Sequence, residues 1–412
     1  MAKSPLHCSF CGRSRDEVRI LIAGQEGHIC ENCVDHAREI IDQELSVRDD
    51  KGAAAFKLTI KKPVEIKKFL DEYAIGQDEA KKVLAVAVYN HYKRLQHKSA
   101  ENTANEVEIE KSNIIMVGET GTGKTLLAKT IARLLNVPFA MVDATVFTEA
   151  GYVGEDVESI ITRLLQVCNY DVTAAERGIV FIDEIDKISR KGDNPSLTRD
   201  IKEGTQQALL KLLEGSEVLV PPQGGRKHPE QKMIKVNTNN ILFVCGGAFD
   251  GIEKLIGRRV HTNTIGFNVD KDSQDEMKKN LLQYVNAQDL KAFGLIPELL
   301  GRLPVITHLD PLDATTLRAI LTEPKNALVK QYKTLFELEG IKLTIENEVL
   351  DFMVEKAMEY KLGARGLRSI CESILTDAMF EMPSSAETDF VLDLEYAKRK
   401  FDKSKMNILK VA

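Results

Sequence analysis

Gly118-Glu119-Thr120-Gly121-Thr122-Gly123-Lys124-Thr125 follows directly on the apolar run Asn113-Ile114-Ile115-Met116-Val117 and leads into Leu126-Leu127-Ala128-Lys129. The order is strand, glycine-rich loop, helix, and the loop fits G-x-x-x-x-G-K-[ST], the P-loop pattern, in the context that gives it meaning. Glycines at 118, 121 and 123 let the backbone curl until successive N–H groups point inward, and the helix that begins there adds the positive end of its dipole. A phosphate chain fits that cradle. The expected nucleotide-binding segment therefore runs through Gly118, Glu119, Thr120, Gly121, Thr122, Gly123, Lys124, Thr125 and Leu126. Lys124 is placed to reach the β and γ phosphates of ATP as a point charge, and the Thr125 hydroxyl to ligate Mg²⁺.

Outward from this loop the chain alternates strand and helix. Strands are predicted at 113–117, 138–143, 178–183 and 240–245, with helices between them, which implies an α/β fold with a mostly parallel sheet covered on both faces. The third strand, Gly178-Ile179-Val180-Phe181-Ile182-Asp183-Glu184, is an apolar run ending in two carboxylates. They emerge at the strand's C-terminal end, where an open α/β sheet places its ligand. Asp183 is thereby expected in the Mg²⁺ shell, and Glu184 as the general base that polarises an attacking water. An acidic pair ending a strand says little alone; about 60 residues downstream of a P-loop it says a good deal.

At 412 residues the chain exceeds one ordinary core. Its 43% hydrophobic and 29% charged residues are those of a soluble globular protein. No run approaches a membrane span, and Met1-Ala2-Lys3-Ser4-Pro5 starts no signal peptide, so no membrane partner and a cytoplasmic location are expected. A net charge of −6 argues against a surface built for bulk nucleic-acid binding.

Cys8-x2-Cys11 and Cys30-x2-Cys33, eighteen residues apart, have the spacing of a four-cysteine Zn²⁺ site. With four protein ligands the metal keeps no open position, so the site is structural. Disulfides are the alternative, disfavoured in a reducing cytosol. A segment of this size has too small a core to fold unaided, and zinc supplies the missing stability. His7, His28 and His36 lie near enough to substitute as ligands, but four sulfurs are expected.

The resulting plan is a zinc module at 1–45, a charged linker at 46–62, a large ATPase domain at 63–308 and a smaller C-terminal α/β domain at 309–412. Pro63 suits the first position of a helix, and a second, long helix follows Tyr73-Ala74-Ile75-Gly76-Gln77 to about His97. Ser99 to Lys111 is acidic and reads as a surface loop, and strand candidates in the C-terminal domain lie at 341–345 and 389–394. Residues 190–200 and the basic Arg226-Lys227-His228 read as polar surface, Gly151-Tyr152-Val153-Gly154 as a freed loop or a turn with Tyr152 packed down, and His261 to Asn268, around Ile265-Gly266-Phe267, as either a short buried strand or a presented docking loop. Arg302 stands between Gly301 and Pro304 in a rigid turn. Arg365 lies in the first turn of a helix, where the dipole disfavours a cation, which hints that it answers a phosphate.

Taken together and in this order, the cysteine module, P-loop, Gly-Tyr-Val-Gly loop, Ile-Asp-Glu strand end, Arg-Lys-His cluster, Ile-Gly-Phe tripeptide and Gly-Ala-Arg turn resemble the ClpX family of AAA+ ATPases over nearly the whole chain. The resemblance implies a homohexameric ring that hydrolyses ATP to unfold tagged proteins and pull them through a central pore into a ClpP-type peptidase, with adaptor proteins bound through the zinc module. It implies that Tyr152 and Val153 grip substrate, that residues 190–202 form a second pore loop, and that Arg226, Lys227 and His228 recognise peptide tags at the pore mouth. Ile265, Gly266 and Phe267 match the loop that docks on the peptidase. Arg302 matches the arginine finger that reaches a neighbour's nucleotide, Arg365 the sensor in the small domain, and Tyr73-Ala74-Ile75 the segment beside adenine. The chain departs from the family's usual pattern at Ala74, where Val is usual, and at Glu119, where Pro is common and a carboxylate lowers affinity for phosphate. Ile241-Leu242-Phe243-Val244-Cys245-Gly246-Gly247 ends without the Asn or Thr that serves many relatives as a first sensor. The rival reading is an AAA+ nucleic-acid motor or loader, which the acidic charge and the uncharged aromatic loop oppose. An ATPase that remodels partners without a protease is a third.

Overall fold

The computed structural model describes residues 7–24, 27–34, 36, 60–98, 107, 109–147, 156–190, 197–221, 233–263, 280–361, 363–385 and 387–403. They fall into two compact units, one within residues 1–59 and the other within 60–412. The first contains a small antiparallel hairpin, β1 (Leu21–Ala23) with β2 (His28–Cys30), in register from Leu21 opposite Cys30. Beside it Cys8 N–H bonds Arg13 O at 2.8 Å, closing a turn whose Gly12 sits at φ 77°.

The second unit opens with α1 (Pro63–Asp71). Its start is fixed by Pro63 and by Glu65, whose carboxylate accepts the Lys62 N–H at 3.2 Å, and Ile66 and Leu70, one turn apart, are both fully buried. α2 (Asp78–Lys98) follows, then β3 (Ile114–Val117), α3 (Lys124–Leu135), β4 (Phe139–Asp143), α4 (Ser159–Val167) and β5 (Ile179–Asp183). α5 (Leu197–Glu214) leads to a hairpin of β6 (Glu217–Val220) and β7 (Ile234–Asn237), and β8 (Leu242–Gly247), α6 (Ile252–Asn263), α7 (Ala287–Phe293), α8 (Pro297–Gly301) and β9 (Val305–His308) complete the larger core.

The main sheet has five strands in the order β4-β5-β8-β3-β9, every neighbouring pair parallel. All four residues of β3 are buried, as a strand covered on both faces requires. Crossover helices do the covering. In α4, Ile160, Ile161, Leu164 and Leu165 turn one stripe inward, each removing apolar area worth roughly 1.5–3 kcal/mol on full burial. The four strands expected from the sequence are present. Additional to them are β9, which flanks the P-loop strand from Ile114 opposite Val305, and the β6–β7 hairpin. Residues 197–202, read as part of a polar loop, form the first turns of α5, and 191–196 lie outside the described residues.

From Ala314 onward a second core assembles from α9 (Ala314–Thr322), α10 (Leu328–Leu338), β10 (Lys342–Ile345), α11 (Asn347–Glu359), α12 (Gly363–Glu381), β11 (Asp389–Leu392) and α13 (Leu394–Lys403). β10 and β11 pair in parallel, from Lys342 opposite Asp389. In α12 Leu367, Ile370, Cys371, Ile374, Leu375 and Ala378 recur at helical spacing and are buried against α11 and its neighbours. The sheet's core and this one are separate apolar clusters within the same unit.

Candidate functional site

β3 delivers the P-loop to the C-terminal edge of the sheet. Gly118 N–H bonds Gly247 O at 3.2 Å, anchoring the loop's first residue to the end of β8. A Cβ at Gly118 would lie 2.9 Å from Leu309 Cβ, so only glycine lets the loop pass there. Gly123 at φ 107° turns the chain into α3, whose first residue is Lys124. The Lys124 ammonium is buried and donates to Gly118 O at 2.5 Å and Glu119 O at 2.8 Å. Desolvation holds its pKa below the ordinary lysine value, partly offset by the Asp183, Asp186 and Asp250 carboxylates. The Thr122 hydroxyl also donates to Glu119 O, at 2.8 Å, so the Glu119 carbonyl faces the loop's interior while its side chain is exposed.

β5 brings its two carboxylates to the same edge. Thr125 Oγ1 donates to Asp183 Oδ2 at 3.4 Å, which sets the two expected Mg²⁺ ligands side by side. Asp183 Oδ1 accepts the Glu184 N–H at 3.0 Å, and Glu184, exposed, sits at φ 56°. A non-glycine residue in the left-handed region is a strained element costing about 1–3 kcal/mol, held by its surroundings. That turn swings the Glu184 side chain away from the strand's direction and into the lining of the cavity above the P-loop.

The cavity measures about 900 Å³. One wall comes from the sheet's edge: Thr120, Gly121, Gly123, Lys124, Thr125, Asp183 and Glu184. The other comes from the C-terminal core, through Ile320, Pro324, Leu328, Ala364 and Arg365. Gly363, at φ 56°, brings α12 so near that a Cβ on it would lie 3.2 Å from Thr120 O. The exposed Arg365 is thereby carried to the phosphate end, where its charge is felt at Lys124. Tyr73 closes the far side, with the Arg133 guanidinium 4.1 Å from its ring centroid. Ile75, half-buried, is two residues on and outside the lining. The segment is fastened to both cores. Gln77 exchanges two hydrogen bonds with the Asp310 backbone, at 2.9 and 2.7 Å, and Glu72 pairs with Lys325 at 2.6 Å.

Arg302 does not line this cavity. It is half exposed, caps the C-terminus of α8, and its guanidinium pairs with Glu214 at 2.8 Å. Its position is nonetheless tied to the P-loop strand: buried Asn113 donates to Arg302 O at 2.9 Å and to Leu213 O at 3.2 Å, and accepts Phe243 N–H at 3.3 Å.

Sequence reasoning missed Asn113 and two other buried polar residues. Asp186 is 5% exposed, lines the cavity, and accepts the Ala248 N–H at 3.1 Å, fixing the end of β8 where an Asn or Thr sensor was looked for. Gln206 is fully buried and joins Ile188 O at 2.8 Å to Ile296 N–H at 2.8 Å, linking the segment after β5 to the one before α8. Nothing in their sequence neighbourhood marks them, because each partner lies far along the chain. Tyr152, Val153, Arg226, Lys227, His228, Ile265, Gly266 and Phe267 lie outside the described residues.

In the N-terminal unit the sulfurs of Cys8, Cys11, Cys30 and Cys33 all lie within 4.8 Å of one another, and Cys11 Sγ is 3.7 Å from Cys30 Sγ. Tetrahedral Zn–S bonds of about 2.3 Å demand sulfur separations of this order. Desolvation opposes the Cys8 thiolate, yet N–H groups of Cys11, Phe10 and Cys30 pull the thiol down to about 6, while desolvation and the neighbouring thiols push Cys33 up to about 12. One thiolate is readied for metal, and the remaining protons must leave as it binds. The described cluster is made of sulfurs alone, as expected. Among the described residues no helix is long and apolar enough to cross a membrane.

Three family models match the chain: an AAA domain of the Cdc48 subfamily over residues 109–306, a ClpX C4-type zinc finger over 6–43, and the C-terminal D2-small domain of ClpB protein over 312–391. Among curated proteins, the "ATP-dependent Clp protease ATP-binding subunit ClpX" of Bacteroides thetaiotaomicron is 62% identical, covering 100% of this chain and 99% of the relative. The proteins of the same name from Bacteroides fragilis and Porphyromonas gingivalis are 62% and 59% identical, covering 98% and 96% of this chain and the same shares of the relatives.

Proposed function

The chain belongs to the ClpX family of Clp protease ATP-binding subunits, and on that premise we propose that it is a protein unfoldase whose ring draws tagged proteins through a central pore into a ClpP-type peptidase. It is an ATPase with an AAA domain, and its cofactors are ATP, Mg²⁺ and Zn²⁺. The observation that carries the reading is the origin of the cavity walls: nucleotide held there touches two separate cores at once. A ligand with contacts on both sides favours one mutual arrangement of the cores, and losing a phosphate changes which arrangement is favoured. That converts hydrolysis into movement of one core against the other.

The chain's own groups then divide the work. The P-loop N–H groups and Lys124 hold the phosphates, and binding draws the Lys124 ammonium from Gly118 O and Glu119 O onto phosphate oxygen. Thr125 and Asp183 hold Mg²⁺, which neutralises charge on the phosphates when bound. Glu184 takes the proton of the attacking water. Arg365 contacts phosphate from the C-terminal core of the same subunit, and Arg302, outside the cavity of its own chain, serves the nucleotide of a neighbouring subunit. Tyr73 and Ile75 flank the adenine. Tyr152 and Val153 grip substrate, Arg226, Lys227 and His228 receive the tag, Ile265, Gly266 and Phe267 dock the peptidase, and the zinc module takes adaptors.

The test is ATP-dependent unfolding of a tagged, stably folded reporter, with and without peptidase. Unfolding alone and degradation with peptidase are expected. Removing residues 265–267 should abolish degradation and spare unfolding. ATP turnover with no unfolding of any tagged reporter sinks the reading.

A further inference from the structure

A second cavity, of about 260 Å³, lies at the opposite end of the sheet from the P-loop, between the last turns of α2 and the segment that enters β3. Its lining is Asn90, His91, Lys93, Arg94 and His97 from the helix, with Ile109, Glu110 and Ser112 from the segment. Lys93 and His97 are exposed. His91 and Arg94 are different: each is only 4% exposed.

Arg94 spends one amine on Asn239 O, at 2.9 Å, and its Nε–H has no hydrogen-bond partner. Among the described residues no carboxylate pairs with it. Beside it Lys111 donates to Thr238 O at 2.9 Å and lies 4.6 Å from the Phe243 ring centroid, again with a carbonyl and a π face in place of an anion. Burial, aided by Arg94, pushes this ammonium down to about 7. A buried cation is normally matched by a carboxylate, and Arg94, with the half-buried Lys111 near it, has none among the described residues. His91 Nε2 lies 3.0 Å from Asn240 O, so that nitrogen carries the proton, and Nδ1 is an acceptor with no donor. Desolvation, with Arg94 and Lys111 adding repulsion, keeps the ring neutral, at a pKa of about 3. Glu110, exposed at the rim, is the acidic residue of the lining.

Two side chains of the cavity lining thus hold an unmatched N–H donor and an unmatched lone pair, in excess positive charge. We propose that it is a binding site for a tetrahedral phosphate-class anion that still carries a hydroxyl, the hydroxyl donating to His91 Nδ1 and the oxygens accepting from Arg94 Nε. Inorganic monohydrogen phosphate meets both demands, and so does the singly protonated end of a phosphate monoester. Sulfate, fully ionised at neutral pH, supplies acceptors only and leaves Nδ1 unmatched.

The experiment titrates the full chain, with its nucleotide cavity saturated by ADP and Mg²⁺, against inorganic phosphate, phenyl phosphate and sulfate at equal ionic strength, by calorimetry. One phosphate per chain should bind beyond the nucleotide, with sulfate about tenfold or more weaker, and Arg94→Gln should weaken phosphate by a similar factor because one charged hydrogen bond is lost. Phenyl phosphate binding as tightly as phosphate assigns the site to esterified groups; its exclusion assigns it to the free ion. An arsenate soak of wild-type crystals, read by anomalous scattering in this cavity, tests the site without any variant, because arsenate keeps a hydroxyl at neutral pH as phosphate does. Absence of phosphate binding, sulfate binding as tight as phosphate, or anomalous density confined to the nucleotide cavity overturns the proposal.

Discussion

Asp183 and Glu184 are adjacent in sequence and stand in different surroundings. Asp183 keeps the strand's direction and meets Thr125; Glu184, at φ 56°, turns out of it and into the cavity. If the pair divides between metal and water as proposed, Glu184→Gln should leave nucleotide affinity near the wild-type value and lower hydrolysis by about 10²–10⁴-fold. Turnover and equilibrium binding measured on the same variant decide it, and turnover near the wild-type rate would falsify the assignment. Asp186 allows a sharper contrast. Asp186→Ala leaves the Ala248 N–H without its acceptor and should cost about 1–3 kcal/mol of folding stability, whereas Asp186→Asn keeps an oxygen in place and should recover most of it. Equal losses in denaturant unfolding would show that the charge matters and the hydrogen bond does not. The P-loop and the strand-end carboxylates were legible because their partners are local or strongly patterned. Asp186 and Asn113 were not, since their partners lie 62 and up to 189 residues away and an isolated polar residue carries no period.

At the scale of elements, legibility followed burial. β3 and β5 are continuous apolar runs because helices cover both faces of the sheet. β9 is four residues with a buried threonine at its centre, and β6 alternates exposed and buried over only four, so neither accumulates enough period to stand out. The inner face of α2 has a consequence that pH exposes. His91 titrates at about 3 in the folded chain against an ordinary 6.5, so between these values the unfolded chain binds more protons. Stability should therefore be lost as pH falls from about 6.5 toward 3, with a slope of up to about 1.4 kcal/mol per unit from this residue, and should not change through it above 6.5. Chemical unfolding of His91→Gln across that range should show a shallower dependence than wild type; an unchanged slope removes His91 as its origin. The turn after α8 yields another expectation. If Arg302 serves the next subunit, Arg302→Ala and Glu184→Gln chains, each inactive alone, should regain hydrolysis when mixed, because some interfaces then carry both intact groups. No recovery in proven mixed rings counts against a role in trans.

In the molecule as a whole, two units of unlike construction share one chain. The N-terminal one has two short strands and a sulfur cluster, too little apolar surface to hold together alone, while the other has two cores of its own. A zinc-selective chelator, with Mg²⁺ kept in excess, should expose residues 1 to about 45 to protease and leave the basal ATPase standing. Metal content, fragment mass and turnover followed together would reveal any dependence of the second on the first, and wild-type protein without zinc would refute the cluster's role. The cysteine spacing announced this module; the shared cavity was less visible, because Arg133 reaches Tyr73, and Thr120 meets Gly363, across stretches that no local pattern connects. That cavity acts in both directions. If the chain pulls on substrate as proposed and the load reaches the C-terminal core, any tilt that withdraws Arg365 and Ala364 from the P-loop weakens nucleotide by the same free energy with which nucleotide resists the tilt. On that reading the site is a strain gauge as well as an engine, and a stalled subunit should report its stall as faster nucleotide escape.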